Sequence, residues 1–191
     1  MPITIGAKRE SDFTDPLGML SDCHRRIERF LDVLITVATA GRGGPLAEEQ
    51  RGPFETALGY FRNSAPKHTA DEEESLFPRM HRLGDPATRE LLVRVDALRQ
   101  DHIRAEMSHQ DVDRLGQAWL THGSLTESEA SRLVNLLGEL RQLYSAHIAF
   151  EDREVFPAAG RMLSPEDCRA VGAEMAARRG LPLARGASEV R

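Results

Sequence analysis

HTADEEESLFP (residues 68–78) and HIAFEDREVFP (residues 147–157) share one pattern, His-x3-Glu-x4-Phe-Pro, and align without a gap 79 residues apart. Two further stretches, HRRIE (24–28) and HIRAE (102–106), stand 78 apart and repeat the His-x3-Glu unit. Matched segments at one fixed separation are what a duplicated helical hairpin leaves in a sequence. The i, i+4 spacing puts both side chains on one helix face, a turn apart. Seven histidines and 18 glutamates in 191 residues would give about 0.7 such pairs by chance, and four are present. Any single pair reads as a solvated helix face; four, one per long helix, do not.

Around these pairs the periodicity is helical throughout, with almost nothing alternating at period two. A first helix opens at Asp15-Pro16, with an N-cap and a proline at the first helical position, and runs through Leu20, Ile27, Leu31 and Leu34. Gly41-Arg-Gly-Gly-Pro45 stops it near Ala40. A second is expected over about 46–77, with trouble at Gly52-Pro53 and a kink at Pro66. Gly84-Asp85-Pro86 separates it from a third, expected from Pro86 to about Leu120. Thr126-Glu-Ser-Glu129 is a capping box opening a fourth that reaches about Phe156. Ser164-Pro-Glu-Asp167 caps a shorter fifth helix ending near Arg179. The expected fold is all-α, an up-down-up-down four-helix bundle with a short additional C-terminal helix. Residues 1–14 read as an extension, 15–163 as the bundle, and 164–191 as the short helix followed from Gly180 by an aperiodic, flexible tail.

Composition narrows the function. With 25 Lys+Arg against 30 Asp+Glu the formal charge is −5, which offers no basic stripe for nucleic acid. The longest apolar-rich run, 30–40, contains Asp32 and is too short for a bilayer, and the N-terminus has no signal-peptide core. Cys23 and Cys168 form neither a CxxC motif nor a disulfide framework. A cytoplasmic protein is expected.

The four histidines fall at one height. His68 and His102 are each 17 residues from Asp85, and His102 and His147 are 22 and 23 from Ser124. His24 and His68 are less even, 19 and 25 from Gly43, so irregular chain before Pro53 must absorb the excess. Imidazoles and carboxylates gathered in a bundle core are unfavourable as empty polar groups, and cations satisfy them. Imidazole suits iron, zinc, copper and nickel, carboxylates can bridge, and at least six ligands fit two cations better than one. A ferritin-like centre needs Glu-x-x-His on two helices, and only Glu106-x-x-His109 occurs.

The order His, His-x3-Glu…Phe-Pro, His, His-x3-Glu…Phe-Pro resembles the hemerythrin-like, or HHE cation-binding, family over about residues 15–160. The resemblance implies two irons per chain, oxo- or hydroxo-bridged, with His24, His68, His102 and His147 as terminal ligands and Glu72 and Glu151 as bridges. Oxygen-carrying members have a histidine where Glu106 stands and an aspartate five residues after the last histidine, where this chain has Glu151 at four and Asp152 at five. The pattern is thus closer to the branch associated with iron-centre repair, nitric oxide or peroxide handling and iron sensing. It implies O2, NO or peroxide as ligand, in stress defence. The alternatives are an iron-sensing, iron-storing or regulatory module, and a metal-free bundle whose fifth helix binds a partner.

Glu106 is a candidate seventh ligand, while Glu28 reads as solvated. Asp101 and Asp22 are candidates to orient ligand imidazoles. His81, His109 and His122 read as surface residues. The Phe-Pro pairs read as structural, Tyr144 as a core tyrosine that could reach the site, and Trp119 as packing.

Overall fold

The computed structural model describes residues 10–182. Helix α1 (Pro16–Gly41) starts where Asp15 accepts a hydrogen bond from Gly18 N, 3.0 Å, and ends on Arg42 and Gly43, both in the left-handed region. Its core face is Leu20, Ile27, Leu31 and Leu34. The second long helix is broken into pieces: α2 (Glu48–Asn63), α3 (Ala65–Ala70), a π-helical turn (Asp71–Leu76) and α4 (Phe77–Leu83). The break before Pro66 falls where a kink is expected, because the ring forbids a continuous ladder there. Gly52-Pro53, by contrast, does not interrupt α2, which runs through it from Glu48. Reciprocal hydrogen bonds between Asp85 and Thr88 hold the next connection, so α5 (Arg89–His122) starts three residues later than Pro86. The Thr126/Glu129 and Ser164/Asp167 capping boxes open α6 (Glu127–Phe150) and α8 (Pro165–Arg178). Between these lie a second π turn (Glu151–Val155) and α7 (Phe156–Met162), so the fourth long helix continues past Phe156.

Helices α1, α2, α5 and α6 pack in a closed ring, α1 on α2 and α6, and α5 on α2 and α6, which makes the expected four-helix bundle. Helix α8 lies across α1 and the first π turn. There is no strand among the described residues, and no helix there is long and apolar enough to cross a membrane. The expected tail beyond residue 182 lies outside the described residues.

The apolar core is in two parts. One gathers Ile27, Leu31, Leu34, Phe54, Leu58, Trp119, Leu133 and Leu137; the other gathers Leu20, Leu76, Met80, Val95, Val155, Phe156 and Met175. Along α1 the division falls between Leu20 and Ile27, at His24. Trp119 packs as expected and donates from Nε1 to Gly44 O, 2.8 Å, pinning the first connection.

Candidate metal centre

Each of the four long helices sends one imidazole into the layer between the two cores. His24, His68 and His147 are buried, and His102 is nearly so. Glu72 and Glu151 are fully buried among them. The donor atoms form two groups, each within 4.8 Å: His24, His68, Glu72 and Glu151, and His102, His147, Glu72 and Glu151. The two carboxylates belong to both. His24 Nε2 lies 3.1 Å from Glu151 and 3.9 Å from Glu72; His68 Nε2 lies 3.3 Å and His102 Nε2 3.5 Å from Glu72; His147 Nε2 lies 3.1 Å from Glu151.

The π turns set this arrangement. The second begins at Glu151 and the first one residue before Glu72, and the wide i→i+5 hydrogen bonds run from Phe77 N to Glu72 O and from Phe156 N to Glu151 O. Pro78 and Pro157 have no N–H, and their rings crowd the carbonyl four residues back, so a widened turn is the helix's way past them. Phe77 and Phe156 are buried as expected, and Phe156 stacks on His24 with centroids 5.3 Å apart.

Three imidazoles are held from behind by carboxylates. His24 Nδ1 lies 2.9 Å from Asp152, which also accepts from Ser21 and Arg25; His102 Nδ1 lies 2.8 Å from Glu73; His147 Nδ1 lies 3.3 Å from Asp101. An acceptor at Nδ1 keeps the proton there and turns a bare Nε2 inward. Asp101 is placed as expected, but Asp22 instead accepts from Ser11 N, 2.7 Å. Sequence reading missed Glu73, and took Asp152 only as the acid in the family's fifth place. The available signal was the acidic residue that follows each repeated glutamate.

Glu106 joins neither donor group. Its side chain is exposed on the wall of a cavity and accepts from Gln110 Nε2, 3.4 Å. It lies a turn beyond His102, which carries it past the donor layer. Glu28 is on the surface, 3.0 Å from Arg25. His81 pairs with Asp96 and His122 is exposed, both at the surface as expected. His109 departs from expectation: it lines the cavity, stacks on Phe61 at 4.1 Å, and its Nε2 lies 2.9 Å from Tyr144 Oη. Burial pushes its pKa down to about 4, so it is neutral at pH 7.

Burial presses each imidazole in the layer toward its neutral form. It prevails at His68, with the other imidazoles adding to it, and at His102 beside His147. At His24 the acids Asp152 and Glu151 outweigh it, and at His147 Glu151 and Asp101 do. Burial, and then the neighbouring Glu151, raise the Glu72 carboxyl far above its usual range. Burial acts the same way on Glu151, but His147 and His24 hold that carboxylate low.

The donor set fits cations. Both oxygens of Glu72, both of Glu151 and Nε2 of His24 are buried with no hydrogen-bond partner among the described residues. Buried carboxylates left so are costly unless paired with positive charge. The fold and this layer together define a helical-bundle, histidine/carboxylate cation-binding domain. The sequence profile of the hemerythrin HHE cation-binding domain matches residues 15–159, and the chain belongs to that family. It is also 26% identical over 167 residues to a protein of Haemophilus influenzae described as uncharacterized, a match spanning 87% of this chain and 91% of that protein.

Proposed function

We propose that this protein is a non-haem centre holding two iron ions, with His24 and His68 on one, His102 and His147 on the other, and Glu72 and Glu151 bridging both. The observation that carries this reading is the sharing of the two glutamates by both donor groups. Imidazole with carboxylate suits iron, and iron bound there supplies redox chemistry and coordination positions for a small ligand such as O2, NO or peroxide. The chain's own residues do the rest. Asp152, Glu73 and Asp101 orient three imidazoles, and the apolar walls around the layer keep bulk water away. The cavity opens onto the imidazoles and gives a ligand access. Stress defence or iron-centre repair in the cytoplasm is the proposed setting.

An iron-sensing reading has one observation in its favour. Asp71, next to Glu72 and fully buried, accepts from Arg178 Nη1 at 2.9 Å and Arg179 Nη2 at 2.7 Å, which ties the first π turn to the C-terminal end of α8. Cation occupancy would then be felt by that helix.

The full chain reconstituted with iron is expected to hold about two irons, and Glu72→Ala or Glu151→Ala to release them more readily than Glu28→Ala. Less than one iron per chain, or equal retention in all three variants, would refute the assignment. Absorbance after anaerobic addition of NO, O2 or peroxide to the reduced protein separates a reactive centre from a sensing one.

A further inference from the structure

The cavity above the imidazoles is much larger than a diatomic molecule needs. Its volume is about 530 Å3, within the roughly 300–1,000 Å3 of sites that take organic ligands. Benzene is held by a cavity of about 150 Å3. The floor is the four imidazoles, and the walls include Ile27, Leu58, Phe61, Val112 and Ile148. Arg62, exposed, and Asp113, half-buried, are paired through Nε at 3.1 Å and stand among the lining residues.

His109 and Tyr144 form a polar pole within those walls. His109 is seven residues past His102 on α5, a rise of about 10 Å. A diatomic on the floor leaves that upper part of the cavity empty, with room for a ring-sized molecule. His109 and Tyr144 share one hydrogen bond. Whichever of the two donates it, the Tyr144 hydroxyl keeps one further capacity, as acceptor in one tautomer and donor in the other. A hydroxyl group meets either case, while a ketone or ether meets only one. The Phe61 ring stacked on His109 makes the neighbouring wall aromatic.

We propose that this cavity binds a small hydroxylated aromatic molecule, its ring among Leu58, Phe61 and Val112 and its hydroxyl on Tyr144. The site is built from the protein's walls, goes beyond the metal reading above, and does not depend on which cation is held.

Phenol and benzene are the probes, titrated into the full chain in metal-depleted and iron-reconstituted form and followed by calorimetry or ligand-observed NMR. Phenol is expected to bind the metal-depleted form at one site, and tighter than benzene. Tyr144→Phe keeps the ring and should weaken phenol about 3- to 10-fold while leaving benzene unchanged, as loss of one hydrogen bond implies. Val112→Phe, which fills the cavity, should abolish binding of both, with circular dichroism confirming that it folds. Absence of phenol binding to both forms overturns the proposal, and so does binding that neither substitution changes. Equal weakening of phenol and benzene by Tyr144→Phe overturns the hydroxyl assignment. Phenol binding to metal-depleted protein supports the proposal even where iron reconstitution fails, so the two readings fail separately.

Discussion

Lowering the pH from 7.5 to 5 tests the environment assigned to His109. Its folded pKa of about 4 lies below the ordinary 6.5. Between those values the unfolded chain binds more protons than the folded one, so stability rises with pH across the window and is lost as pH falls. A tenfold step in proton affinity is worth about 1.4 kcal/mol, so the loss at pH 5 is about 2 kcal/mol, growing to about 3 near pH 4. His109→Phe keeps a ring against Phe61 and removes the titrating nitrogens. It also strands the Tyr144 hydroxyl, but that cost is the same at both pH values and cancels in the difference. The assay is urea unfolding of metal-depleted wild type and His109→Phe at pH 7.5 and 5. Wild type should lose about 2 kcal/mol more than the variant, a midpoint difference of roughly 1 M urea. Parallel pH dependence in the two proteins would refute the argument that His109 is shielded from water and neutral.

Other expectations concern the layer and its clamp. Asp152→Asn and Glu73→Gln, which weaken the hold on His24 and His102, should each lower metal affinity about 10- to 100-fold in chelator competition; unchanged affinity would mean the imidazoles are oriented by packing alone. Asp71→Ala leaves the Arg178 and Arg179 guanidiniums without their buried partner and should cost about 3 kcal/mol in urea unfolding, and a loss under 1 kcal/mol would show that α8 does not clamp the π turn. Glu106→Ala should leave iron stoichiometry unchanged while Glu72→Ala lowers it; loss of iron from Glu106→Ala would restore Glu106 as a seventh ligand.

Much of this was legible in the residues. Helix existence, the capping boxes at Thr126 and Ser164, and the common height of the four histidines follow from local rules of spacing and end chemistry. The uneven register of His24 and His68 around Gly43 is taken up partly by a connection that lasts to Ala47 and partly by the break at Ser64. Gly52-Pro53 was misjudged: the proline lies in the second turn of α2, where it removes one ladder hydrogen bond without ending the helix. The π turns were not legible, although Phe-Pro five residues after each glutamate was visible, because an i→i+5 ladder has no residue pattern of its own. Glu106 stands outside the donor groups and His109 inside the cavity for one shared reason. Periodicity gives the face of a helix, not whether that face meets ligand atoms, solvent or a cavity at a given height. Seven residues beyond His102, α5 still faces inward, and there it meets the cavity.

The division of the core at His24 separates two roles in this fold. The apolar strata on either side carry the packing, and the thin polar stratum between them carries the candidate cation ligands. A substitution within the polar stratum, at Glu72 or Glu151 for example, leaves the leucines and phenylalanines above and below in contact. The scaffold can therefore accept a change of side chain in that stratum while keeping the packing on either side of it.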